Sequence, residues 1–577
     1  MGFEVHRLGP SGGRGGRAAA ALSLLLTLGC GAGVQQYPLH EPLWVDPDRH
    51  PFAPAPEEYY SPFAWDADDQ TIFYPISRFF AVRPAGAAKN VNALDEVPDS
   101  SWFENRIGRE AVSPPRLARG PCSTPPLDPT QPWLVKSAKP DGANPGFVVE
   151  GPDGRRYIIK FDGRMQGPRA TTADVIGSRL YWAAGYHTPC NRVVYVDRSR
   201  LSVAPDATYE DYRGRTWPLT SAEIDRTFDK TLQLADGRFR ANSSLVLEGT
   251  PLGPWKYQGT RGDDPNDVIP HQDRRELRGM RLLAAWINHF DSREQNTLAS
   301  FVAARDGRGY VRHHVIDFGD SLGSLWSPPA LGRRIGHSYY LDIPYVLEDW
   351  LTLGFIERPW DTARLGRSGR VFGYFSVERF EPERWRPGYP NPAFGRMQER
   401  DGAWMARIIA RFSPEHLQAL VATADLQDSF LEHELLRILT GRRERILRRY
   451  LLGLSPLTDP QLQRHAERVW LCLTDLVVSS GLLPAQARSY SARIFAGPSA
   501  TAIGATRVHA HPPSACVELP AELPDDAGQP AYVIVDVWAD TYGAGPQPPS
   551  RLHLYRLGPF DYRLVALERP DTHEPPG

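Results

Sequence analysis

The stretch from Trp133 to Val196 constrains the fold most, because it spells out a fixed succession of elements joined by very short turns. Trp133-Leu134-Val135-Lys136 reads as a strand, Asp141-Gly142-Ala143-Asn144-Pro145-Gly146 as a turn, and Phe147-Val148-Val149-Glu150 as a second strand. Pro152-Asp153-Gly154 then turns the chain into Tyr157-Ile158-Ile159-Lys160-Phe161. Turns of this length join antiparallel neighbours, so the three strands form a meander with Lys160 on the third. Ala170 to Gly185 follows with Val175, Ile176, Leu180 and Tyr181 at helical spacing and a glycine at its end, before Arg192-Val193-Val194-Tyr195-Val196 returns to strand. Ile158, Ile159 and Phe161 flank Lys160, so its stem has apolar company while the ammonium needs a polar partner. A surface lysine at a strand end is the plain alternative.

Helical periodicity resumes at Arg274, with Leu277, Met280, Leu283, Ala284 and Ile287 on one face, and delivers the chain to His289-Phe290-Asp291, with Asn296 five places after the Asp. A core helix feeding a loop is a rigid mount for a site. A hairpin is expected next, Leu298 to Val302 and His313 to Ile316, turned at Asp306-Gly307-Arg308-Gly309, and it runs into Asp317-Phe318-Gly319. A chain of this composition yields on the order of 0.1 such triplets by accident. Asp291 and Asn296 taken singly are ordinary loop-capping residues. Their order, ahead of a strand-borne Asp317, carries the meaning.

Together these residues resemble the protein-kinase-like fold in its atypical branch, similar to phosphoinositide-kinase, HipA-type and secretory-pathway kinase layouts, over about residues 130 to 330. The resemblance implies an α+β, two-lobed kinase-like domain with an irregular N-terminal extension, additional C-terminal helices and a small β cap. It implies binding of ATP or another nucleotide with Mg2+ or Mn2+. Lys160 matches the strand lysine that meets the phosphates, and Asp174 is the nearest acid for its partner on the following helix. Asp291 matches the catalytic-loop Asp that orients an acceptor hydroxyl, and Asn296 and Asp317 match the metal ligands. Gly142 and Gly146 would let a hairpin backbone approach phosphate. No Gly-x-Gly-x-x-Gly precedes Lys160, Phe290 stands where the family has Arg, and no Ala-Pro-Glu follows. Two functions remain open: phosphoryl transfer to an unknown acceptor, or a catalytically inactive kinase-like envelope lipoprotein that serves as a binding or scaffold module.

Compartment is read from the N-terminus. Arg7, Arg14 and Arg17 form a basic region, Ala18 to Leu28 an apolar one, and Gly29-Cys30 a processing point, which together read as an export signal. Thr27-Leu28-Gly29-Cys30 resembles a bacterial lipoprotein box, which implies a lipid anchor at Cys30 and a periplasmic or outer-membrane location in the cell envelope. A plain secretory leader is the alternative. The remaining Cys122, Cys190, Cys472 and Cys516 suit up to two disulfides in any of three pairings, with buried thiols as the alternative. With 66 basic against 68 acidic residues there is no bulk field to draw nucleic acid, so the partners expected are a nucleotide, a membrane through the anchor, and a protein or envelope acceptor.

The domain division expected is a leader over 1–29, an irregular Pro- and aromatic-rich extension over 30–126, a β-rich small lobe over 127–245, a mainly helical large lobe over 246–495, and a small β unit over 496–577. Residues 197 to 270 read as polar insertions and connection. Helices are expected over Trp404 to Phe412, Pro414 to Ala424, Ser429 to Thr440 and Arg442 to Leu451, with more to about Leu482. Arg442, Arg443, Arg445, Arg448 and Arg449 read as a solvated basic face. His313 and His314 point to opposite faces of a strand and cannot share one ion.

Overall fold

Short turns and period-two alternation build the first lobe, as a computed structural model shows for residues 35–570 apart from 53, 60–62, 83–85, 139–143, 211–214, 324–328, 498 and 524–529. The leader, Cys30 and Gly142 lie outside the described residues. In the extension, α1 (Phe63–Asp68) and α2 (Tyr74–Phe79) are joined by a π-helical turn (Asp69–Phe73), and α3 (Pro114–Arg119) follows. The small lobe comprises β1 (Trp133–Ala138), β2 (Gly146–Glu150), β3 (Arg156–Phe161), α4 (Arg169–Ala184), β4 (Asn191–Val196), β5 (Leu201–Glu210), β6 (Thr216–Pro218), α5 (Ser221–Phe228) and β7 (Phe239–Leu245). Its strands form one sheet in the order β4-β7-β3-β2-β1-β5-β6. The meander is in register, Gly146 opposite Lys160 and Glu150 opposite Arg156.

Two of these strands correct the sequence reading of residues 197 to 270 as insertions. β5 pairs in parallel with β1, and β7 lies between β3 and β4. β7 escaped notice because Arg240, Asn242, Ser243 and Ser244 give it polar side chains on both faces. They are buried nonetheless, and three of them find partners: Arg240 donates to the Thr171 hydroxyl at 2.8 Å, Asn242 to Asp174 at 3.2 Å and Ser243 to the Arg192 carbonyl at 3.3 Å.

The large lobe holds β8 (Thr250–Pro251), α6 (Arg275–Ile287), the hairpin β9 (Thr297–Ala303) and β10 (Gly309–Val315), then α7 (Pro329–Arg334), α8 (Ile343–Leu351), α9 (Gly369–Phe372), α10 (Glu399–Ala410), α11 (Pro414–Ala422) and α12 (Ser429–Ile446). Trp286 and Trp404 are fully buried in its core. The extension is stitched into that core: Trp102 stacks on His313 with ring centroids 3.4 Å apart, and Phe103 packs on Trp404 at 5.4 Å. Arg442 and Arg443 are buried, which corrects their reading as a solvated face. Arg442 donates to the carbonyls of Ala285, Trp286 and Ser376, satisfying the end of α6, and Arg443 donates to Ile409 and Ala410.

Helix does not continue to Leu482. β11 (Leu457–His465) and β12 (Arg468–Asp475) precede α13 (Leu476–Ser479), and β13 (Arg488–Ala496), β14 (Thr501–Thr506), β15 (Val508–His511), β16 (Ser514–Leu519), β17 (Ala531–Thr541), β18 (Ser550–Gly558) and β19 (Asp561–Glu568) complete the chain. The β unit therefore begins at Leu457 instead of residue 496, because Val469, Leu471 and Leu473 alternate with outward positions at period two. Its four-stranded and five-stranded sheets share a core of Leu471, Val517, Val533, Val535, Leu552 and Leu554. Cys472 and Cys516 are registered neighbours on β12 and β16 and form one disulfide; Cys122 and Cys190 form the other. No helix among the described residues is long and apolar enough to cross a membrane.

Candidate functional site

Tyr157, Ile159 and Phe161 of β3 face the small-lobe core, so alternation turns Lys160 to the opposite side, toward α4. There its Nζ lies 2.9 Å from Asp317 Oδ1 and 3.6 Å from Asp174 Oδ2. Burial disfavours the ammonium, yet the two carboxylates outweigh it and hold the lysine above its ordinary pKa. Asp174 does more than pair with Lys160. Its Oδ1 accepts from the Phe318 backbone N–H at 2.9 Å and its Oδ2 from Asn242 at 3.2 Å, so one carboxylate joins β3, α4, β7 and the Asp317-Phe318-Gly319 turn.

Residues that sequence reasoning did not single out hold that turn. Phe318 is buried between Tyr181 and His289, at centroid distances of 5.0 and 5.2 Å. Gly177 makes room for it: a Cβ there would stand 2.5 Å from the Phe318 ring. Arg169, the first residue of α4, is buried and donates to the carbonyls of Gly319 at 2.8 Å and Ser321 at 3.0 Å, with Asp320 at 3.8 Å. Asp317 itself has φ of 54°, a left-handed conformation that costs a non-glycine residue energy and marks a position fixed by its surroundings. The one sequence signal for Asp320 was its place directly after Gly319.

Asp291 sits on the loop after α6. Asn296 donates its amide nitrogen to both the Asp291 carbonyl and Asp291 Oδ2, each at 2.7 Å, which leaves the amide oxygen as its remaining lone-pair atom. Arg293 Nε lies 3.2 Å from Asp291 Oδ1. Burial pushes the Asp291 carboxyl up to about 7, with the charges of Asp320 and Asp317 adding to the rise while Arg293 and the Asn296 hydrogen bond oppose it. Asp317 thus links the two sides, since it meets Lys160 at 2.9 Å and its charge, with that of Asp320, acts on Asp291.

The β1–β2 turn reaches the same place. Asn144 is buried, its amide nitrogen lies 3.1 Å from where a Gly319 Cβ would stand, and its Oδ1 has no hydrogen-bond partner among the described residues. An orphaned amide oxygen beside Asp317 and Asp174 suits a ligand that donates or a cation. At Gly146 the close approach is to β3, since any side chain would strike the Ile159 carbonyl. Among the described residues no three His, Cys, Asp or Glu side chains are grouped to hold a metal. Asp317 and Asn296 could supply one carboxylate and one amide oxygen, a donor set that fits Mg2+, which keeps waters and takes phosphate oxygens as its other ligands. A cavity of about 930 Å³ lies elsewhere, on the large lobe, lined in part by Asn288 just after α6.

No family model matches this chain, and no curated protein does. Among solved structures it is similar to the Golgi casein kinase with Mn/ADP bound, at 8% identity and a TM-score of 0.26 over 56% of this chain and 74% of that one. A second Golgi casein kinase structure gives 9% identity over the same shares, also at 0.26. The α+β description of this chain rests on the strand order and element succession above.

Proposed function

We propose that this chain binds a nucleoside triphosphate with a divalent cation and transfers its terminal phosphoryl group to an acceptor hydroxyl, at the bacterial envelope to which lipidated Cys30 tethers it. The observation that carries the reading is the convergence of Lys160, Asp174 and Asp317 on one side with Asp291 and Asn296 on the other. These residues come from a strand, a helix and two loops far apart in the sequence, and their types match the tasks of phosphoryl transfer, which are positioning and charge neutralisation.

Lys160 would meet phosphate oxygens, and Asp317 and Asn296 would hold Mg2+ or Mn2+, whose role is to neutralise phosphate charge. Asp291 orients the acceptor hydroxyl and takes its proton as the oxygen attacks phosphorus; the bond to the bridging oxygen breaks and the nucleoside diphosphate leaves. A carboxyl titrating at about 7 is suited to that exchange near neutral pH. Asp174 positions Lys160 and the Phe318 backbone without touching the reacting atoms.

One observation favours the binding-only reading. Lys160 and Asp317 are in direct contact at 2.9 Å, a pair that nucleotide and metal must part. Thermal unfolding with ATP and Mg2+ or Mn2+ separates the readings. A ligand that binds only the folded chain adds about 2.7 kcal/mol at 100 times its dissociation constant. Asp317→Ala should erase that gain. Stabilisation without nucleoside diphosphate release identifies a silent nucleotide-binding module, and no stabilisation of the wild type leaves a scaffold.

A further inference from the structure

The cavity of about 930 Å³ on the large lobe takes none of its walls from Lys160, Asp174, Asp291 or Asp317, and it is large enough for a drug-sized ligand. Seven arginines and six acids stand in its lining, so it offers no strong field of either sign. Pairing neutralises many of them: Asp342 meets Arg386 at 2.7 Å, Glu348 meets Arg358 at 2.9 Å and Glu381 meets Arg384 at 3.1 Å. Arg442 spends its donors on three carbonyls. Aromatic rings fill the space between these charges. Trp360 stacks on His337 with ring centroids 5.3 Å apart, Tyr345 leans on Trp360 at 5.4 Å, and the Arg358 guanidinium lies 4.6 Å from the Tyr345 centroid. Two polar atoms of this wall are unsatisfied. Asp342 is buried and uses Oδ2 for Arg386 and for the Tyr339 N–H at 3.3 Å, while its Oδ1 has no partner among the described residues, and neither has Arg358 Nε. A buried acceptor and a buried donor left unmatched on one cavity wall are costly, and a ligand group that both donates and accepts can meet the two. A hydroxyl is such a group.

We propose that this cavity binds a neutral saccharide. The C–H faces of the sugar rings rest on Tyr345 and Trp360 as apolar surface, and hydroxyls at the ring edges donate to Asp342 Oδ1 and accept from Arg358 Nε. Charge decides against the other ligand classes. An anion would have to draw Arg358 and Arg386 away from their carboxylates, and a cation would face the arginines, whereas a polyol leaves each pair intact. The far wall is fixed before any ligand arrives. Trp385 donates its indole N–H to Asn288 Oδ1 at 2.8 Å and Asn391 donates to the Ser292 carbonyl at 3.3 Å, while Phe79 of α2 adds an apolar side from the extension. The site is distinct from that of the nucleotide and does not depend on it.

The test titrates the full chain with maltose, cellobiose and diacetylchitobiose, and with glucose 6-phosphate as the charged counterpart, by calorimetry and tryptophan fluorescence. Nucleotide and divalent cations are left out, so the outcome is independent of the phosphoryl-transfer reading. Saturable binding of at least one of the three disaccharides, with a change in tryptophan emission, is the expected result. Arg358→Lys keeps the charge that faces Glu348 and removes the Nε donor, and Tyr345→Ala removes the ring. Each should weaken binding by about tenfold or more while the unfolding transition stays cooperative. Asp342→Asn, which keeps the shape of the side chain, should act in the same direction. Failure of all three disaccharides to bind, binding of glucose 6-phosphate alone, or an affinity that Arg358→Lys and Tyr345→Ala both leave unaltered overturns the inference.

Discussion

Gly177 has no side chain because Phe318 occupies the place where one would stand. Gly177→Ala puts a Cβ 2.5 Å from the ring, so either α4 or the Asp317 turn must move. Overpacking of this kind costs about 1–3 kcal/mol. Denaturant unfolding should show that loss, together with weaker stabilisation by nucleotide, since Asp174 and Asp317 cannot both keep their contacts to Lys160. Asp320 acts differently, through its charge. It raises the Asp291 carboxyl, which titrates at about 7, so Asp320→Asn should move the rising limb of the rate against pH toward lower pH. The same shift is a stability statement. Between the ordinary carboxylate range and about 7 the folded chain holds a proton that the unfolded chain has lost, so this site lowers stability as pH rises through that window. Asp291→Asn should flatten that slope in a series of unfolding measurements.

Among the elements, α6 carries the loop of Asp291, and its C-terminal end is finished by Arg442 from α12. The guanidinium satisfies three carbonyls and rests 3.6 Å from the Phe380 ring centroid. Arg442→Met keeps the bulk and removes every donor, leaving buried carbonyls that each cost about 1–3 kcal/mol. Loss of at least about 3 kcal/mol is expected, read from the denaturation midpoint. β10 shows a second elemental effect. Its adjacent histidines do point to opposite faces: His313 stacks on Trp102, and His314 shares a hydrogen bond with Ser300 at 3.0 Å and faces His187 at 5.9 Å. Burial holds all three neutral and pushes His314 down to about 3, with Arg312 adding to the drop. The unfolded chain takes up protons below about 6.5 and the folded one does not. This contribution to stability is therefore complete above that pH and is lost as pH falls toward 3, and His314→Gln should lessen the acid loss.

At the scale of the whole molecule the extension is an integral part of the fold. Asp95 meets Arg275 of α6, Arg407 of α10 and Arg569 after β19, and these charges hold its carboxyl down at about 2 in spite of burial. One residue thereby fastens the extension to the large lobe and to the β unit. The Cys122–Cys190 disulfide fastens it to the small lobe across a sequence separation of 68. Constraining a loop of that length in the unfolded chain contributes about 4 kcal/mol on the loop-entropy estimate. Replacing both cysteines by alanine should lower the unfolding free energy by that order, and mild reduction of the wild type should act in the same direction.

Local order was legible without coordinates wherever a single period ran uninterrupted. The meander, Lys160 on its third strand, α4, α6 and the β9–β10 hairpin follow from alternation, helical spacing and turn residues that act over a few neighbours. Tertiary structure alone decided the rest, because it depends on what a side chain meets far away. β7 is a strand since Asp174 and Thr171 satisfy its polar residues, and Arg442 is buried since α6 offers it carbonyls. Gly177 and Arg169 belong to the site because Phe318 and Gly319 come to rest against them. Spacing along a chain does not encode those meetings; they arise when separate elements pack and each buried polar group must find a partner.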